Sequence, residues 1–68
     1  MNTGLLKSVM VKNGDTQAKL ADFLGLSLSG LNAKIHGKNA SFRQNEIMAI
    51  KKRYGLSADE IDEIFFAS

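Results

Sequence analysis

QAKLADFLGLSLSGLNAKIHG, residues 17–37, reads as two short helices meeting at a corner. Leu20, Ala21 and Leu24 fall on one arc of a helical wheel, and Leu31 and Ile35 share one side of the next helix. Each helix therefore has one apolar side to bury. Between them, Gly25 can take the left-handed backbone that ends a helix, Leu26 can drop into the core, and Ser27 can cap the helix that follows. Ala21 is small enough to let the second helix approach the first closely, as a helix-turn-helix requires.

On the N-terminal side of this corner, Leu5, Leu6, Val9 and Met10 recur at helical spacing with Lys7, Ser8 and Lys12 opposite, which predicts a first helix from about Gly4 to Lys12. Asn13-Gly14-Asp15 ends it, and Thr16 is an N-cap for the helix that begins at Gln17. On the C-terminal side, the third helix runs from Ser27 to about His36 and Gly37 closes it. Ser41-Phe42-Arg43-Gln44 reads as a capping box that opens a fourth helix to about Tyr54, with Ile47, Ile50 and Tyr54 inward. Ser57-Ala58-Asp59-Glu60 reads as a second box, opening a fifth helix to about Phe65. No strand-like alternation or repeat is present, so the expected fold is all-α: a compact five-helix bundle, one domain over residues 1–68, with helices 2 and 3 as a helix-turn-helix.

At 68 residues without cysteine or proline, the chain needs an economical helical core or a partner. Its 44% apolar content argues against disorder, and no apolar run is long enough to span a membrane or form a secretory signal core. The net charge of +2 conceals an asymmetry. Residues 1–56 hold all nine Lys and Arg against Asp15, Asp22 and Glu46, a net +6; residues 57–68 hold Asp59, Glu60, Asp62 and Glu63, a net −4. The basic part suits a nucleic-acid partner, and the acidic end would face away from phosphates.

With these elements in place, Gln17, Leu20, Ala21, Gly25, Leu26, Ser27, Leu31, Ile35 and Gly37 resemble the Q-x-x-x-A-x-x-x-G pattern of phage Cro and repressor DNA-binding domains. The run Leu28-Ser29-Gly30-Leu31 is similar to the lambda repressor type in keeping its serine and glycine. The motif covers about a third of the chain. The resemblance implies that the third helix enters the major groove, whose base edges carry a readable donor and acceptor pattern. The base-reading candidates are Ser27, Leu28, Ser29, Asn32, Ala33 and His36. Serine pairs with several bases, asparagine pairs best with adenine, and alanine or leucine can touch a thymine methyl. Leu28 departs from the family, many of whose members carry glutamine there; core packing and groove contact both remain open for it. Gly30 either permits a close backbone approach or is merely tolerated, at about 1 kcal/mol relative to alanine.

Phosphate-contact candidates flank that helix. The resemblance implies that Gln17, at a helix N-terminus, holds a phosphate, and Lys34, Lys38, Asn39 and Arg43 lie at or just beyond the third helix. Lys51-Lys52-Arg53 spreads around its helix and reads as a solvated face. Ile61, Ile64 and Phe65 share a face that can roof the core, and Met10 and Met48 read as core fillers. Phe66 points elsewhere. It either folds back over its own core or joins Ile64 and Phe65 in a homodimer contact, which the family uses to span half-sites about 34 Å apart.

An enzyme is disfavoured: one histidine, no cysteine, no phosphate loop and no nucleophile elbow are present, and the acids of residues 59–63 have a routine role at a helix start. His36 lacks neighbours at metal-ligand spacing, so neither a metal nor a cofactor nor a small-molecule substrate is expected. The alternative is a helical protein-protein interaction module that docks another regulator, but such a face should carry large apolar anchors where Ser29, Asn32, Ala33 and His36 stand. The expectation is a sequence-specific double-stranded DNA-binding regulator on a palindromic operator, of phage or prophage origin, acting by occlusion in the bacterial cytoplasm. Because no larger domain follows within these residues, a Cro-like stand-alone protein is expected rather than a lysogenic repressor.

Overall fold

Four of the five helices among the described residues begin at a residue whose side chain accepts a free N–H, and three end at a glycine. The computed structural model describes residues 1–37 and 40–66. Its elements are α1 (Thr3–Lys12), α2 (Gln17–Leu24), α3 (Leu28–His36), α4 (Gln44–Tyr54) and α5 (Ala58–Ile61), the last running on into a π-helical segment, Asp62–Phe66. Among the described residues there are five α-helices and no strands.

The side chains of Asn2, Thr16, Ser27 and Ser57 accept the N–H of the residue three positions on, opening α1, α2, α3 and α5. Glu60 returns the contact by accepting the Ser57 N–H at 2.9 Å, as the S-x-x-E spacing predicts. Gly25 ends α2 at φ +71°, where a side chain would be strained, and the Leu26 N–H then reaches back to the Ala21 carbonyl at 2.8 Å. The corner is three residues long, and Leu26 packs against the core.

The fourth helix starts later than the Ser41 box predicts. Its N-cap is Arg43, and Glu46 supplies the stabilising carboxylate by accepting the Arg43 N–H at 2.8 Å. The S-x-x-Q pattern at 41–44 is overridden because an acid three residues beyond Arg43 is the stronger acceptor. Glu46 itself becomes the buried polar residue of the helix, beside Ile50, while Ile47 and Tyr54 are only half-buried. Met48 is half exposed and not a core filler, unlike Met10.

Leu6, Leu20, Leu31, Ile35, Ile50 and Ile64 are fully buried and come from every major element, so one core joins the whole described chain. Each such side chain contributes about 1.5–3 kcal/mol relative to an exposed one. The radius of gyration of 10.8 Å matches the roughly 11 Å expected of a compact chain of this length. Two hydrogen bonds tie the N-terminus down: the Asn2 N–H donates to the Ile64 carbonyl at 2.7 Å, and the Thr3 hydroxyl donates to the Ile35 carbonyl at 3.2 Å. The second of these connects the start of α1 to the last turn of α3. No described helix is long and apolar enough to cross a membrane.

Candidate functional site

Burial on α3 is one-sided. Leu31 and Ile35 have essentially no exposed surface, whereas Ser29, Asn32 and His36 are exposed and Leu28 is 51% exposed. Leu28, Asn32 and His36 follow at four-residue intervals and so form one stripe along the outer side. Leu28 belongs to that stripe and not to the core. Ala33 is half-buried, which leaves it less available than its neighbours.

One candidate, Ser27, is engaged by the start of this helix. The Ser27 hydroxyl oxygen accepts the Gly30 N–H at 2.9 Å, so one of its two lone pairs is used by the cap and its proton and second lone pair are left to be offered outward. A Cβ at position 30 would stand 3.1 Å from that same oxygen. Gly30 is therefore explained by the cap beside it, a reason that neither sequence reading of this glycine contained.

The basic flank is partly committed. Lys34 Nζ donates to the Glu46 carboxylate at 2.9 Å and to the Ser41 carbonyl at 3.1 Å, crossing from α3 to the first turn of α4 and the segment before it. Burial alone would raise the Glu46 pKa, but the Arg43 N–H and the Lys34 ammonium outweigh it and hold the carboxyl below its ordinary value. Lys34 is thus an internal ion-pair partner. Arg43 contributes its backbone N–H to this cluster, and its side chain is exposed and has no ion pair among the described residues. Lys38 and Asn39 lie outside the described residues.

Gln17 is the first residue of α2 and is half-buried. The residues just before it are held by a network that local sequence patterns do not reveal. Asp15 accepts from the Thr16 N–H at 3.0 Å, from Arg53 at 2.7 and 3.1 Å, and from the Tyr54 hydroxyl at 2.6 Å. The Arg53 guanidinium also lies 4.6 Å from the centre of the Phe23 ring, a cation–π contact. Arg53 holds the Asp15 carboxyl far below the carboxylate range, overcoming the desolvation of a side chain only 5% exposed; burial and then Asp15 push the Tyr54 hydroxyl upward. Arg53 therefore does not belong to a solvated basic face. The end of α4 clamps the start of α2.

No known protein family, curated protein or solved structure matches this chain.

At the opposite end, Ile64 is 1% exposed and belongs to the core, so it is not a contact for another molecule. Phe65 is half-buried and packs edge-on against Phe42, with ring centres 5.4 Å apart. Phe66 is 65% exposed and, with Phe42, Ile47, Met48 and Ile61, lines an open groove of about 360 Å³. The fifth helix thus roofs the core, as the shared face of Ile61 and Ile64 implies, and leaves one aromatic ring outside it.

Proposed function

We propose that this chain is a sequence-specific double-stranded DNA-binding regulator of the Cro and repressor type, with α2 and α3 acting as a helix-turn-helix. The observation that carries the reading is the outer stripe of α3, which is exposed, mostly polar and unused by the core, on a part of the chain with net charge +6. A major groove admits one helix, and short polar side chains on that helix can approach base edges closely. Ser29, Asn32 and His36 are the polar reading residues, with Leu28 beside them and Ser27 and Ala33 in lesser roles. Gln17 and Arg43 contact phosphates, together with Lys38 and Asn39. Bound protein excludes polymerase from the site, without a cofactor.

The exposed Phe66 and its groove support a homodimer that sets two copies of α3 about one helical turn apart on a palindrome. Selection of binding sites from random duplex DNA tests the whole reading. Recovery of a palindromic site supports it, and a recovered pool with no common sequence overturns it.

A further inference from the structure

We infer that Leu28 makes thymine, recognised by its 5-methyl group, the preferred base at one position of each half-site; this rests on the DNA-binding reading above. Leu28 is the one large apolar side chain on the outer stripe of α3, and half its surface is exposed while Leu31 and Ile35 fill the core. It stands at the first helical position, directly after the Ser27 cap, so the hydrogen bond from Gly30 that fixes the cap also fixes the backbone that carries Leu28. Leucine has no donor or acceptor to offer a base edge. Among the groups exposed in the major groove, the thymine methyl is the one whose contact with leucine removes apolar surface on both sides from water. Next along the stripe is Asn32, about 6 Å away along the helix axis and within two base-pair steps of 3.4 Å. An asparagine pairs bidentately with adenine. The stripe therefore selects a thymine and an adenine close together, with Ser29 tolerant of several bases beside them.

Uracil differs from thymine only in lacking the methyl group, so replacing each thymine of a selected site by uracil, one at a time, reads this contact without altering the protein. At one position per half-site, uracil should weaken binding by about fourfold, the value of one buried methyl-sized group. Leu28→Ser, which replaces the apolar side chain by a short polar one, should bind thymine-containing and uracil-containing sites equally at that position. A selected site that tolerates uracil at every thymine overturns the inference and leaves the DNA reading standing. A thymine-to-uracil difference that survives Leu28→Ser assigns the methyl contact elsewhere and overturns it as well. Failure to select any site overturns the DNA-binding reading itself, and the inference with it.

Discussion

Arg53 grips Asp15 with two hydrogen bonds of 2.7 and 3.1 Å across 38 residues of sequence, joining the end of α4 to the turn before α2. The Tyr54 hydroxyl shares the same carboxylate at 2.6 Å. Tyr54→Phe removes only that bond and should destabilise the chain by about 1 kcal/mol, a fall in Tm of roughly 4–8 °C for a domain of this size. Arg53→Met should lower Tm further, because it leaves the Asp15 charge without its main partner. Thermal unfolding of both variants checks the order, and an Arg53→Met protein as stable as wild type contradicts it.

The clamp and the Lys34–Glu46 pair together set an acid limit. Asp15 and Glu46 both have folded-state pKa values below their unfolded values near 4, so the folded state binds fewer protons than the unfolded state in that range. Their stabilisation is complete above about pH 5 and is lost as pH falls from about 4 through the folded values. Tm should therefore decline below pH 4. Asp15→Asn should start from a lower Tm at pH 7 and decline less steeply; parallel curves contradict the assignment.

Gly30 and Ser27 should behave as a coupled pair. Alanine at position 30 gains about 1 kcal/mol of helix propensity but crowds the Ser27 oxygen at 3.1 Å, so Gly30→Ala alone should gain clearly less than that. Ser27→Ala should cost about 1 kcal/mol by losing the cap. In the Ser27→Ala background, the alanine at 30 should recover its full propensity. A double-mutant cycle from denaturant unfolding measures the coupling, and strict additivity would remove this account of the glycine.

Lys34 and Arg43 are close in sequence but should differ on DNA. Lys34 is neutralised by Glu46, so Lys34→Ala should leave the salt dependence of binding nearly unchanged while costing about 1–3 kcal/mol of stability through the stranded buried carboxylate. Arg43→Ala should leave stability nearly unchanged, weaken all DNA alike, and reduce the salt slope by about one unit. The reverse pattern would mean that Lys34 leaves its partner when DNA binds.

Much of the fold is legible in the sequence because it is written in short-range chemistry. Caps at Thr16, Ser27 and Ser57, the left-handed Gly25, and the periodic Leu20, Ala21, Leu31 and Ile35 all act over one or two helical turns. What escapes is long-range or competitive. Asp15 finds Arg53 and Tyr54 only after the chain has folded, so Arg53 looks like one member of a solvated basic run. Glu46 displaces the Ser41 box because two acceptors compete for one helix start and sequence spacing does not rank them. Of the candidate site, the exposed stripe of α3 is legible from its wheel position. The engagement of Lys34 and of the Ser27 hydroxyl is not, since each depends on a partner whose position only the fold provides.

The central claim is sequence-specific recognition by α3. It is tested most directly by measuring affinity for a selected site and for random duplex DNA, with wild type and Asn32→Ala, across about 50 to 200 mM salt. Wild type should show a salt slope of several units on both DNAs and a large specific-to-random ratio. Asn32→Ala should lose about 1–3 kcal/mol on the selected site alone, with relaxed preference at one position of each half-site. Equal affinity for selected and random DNA, or an Asn32→Ala protein with unchanged base preference, would contradict it.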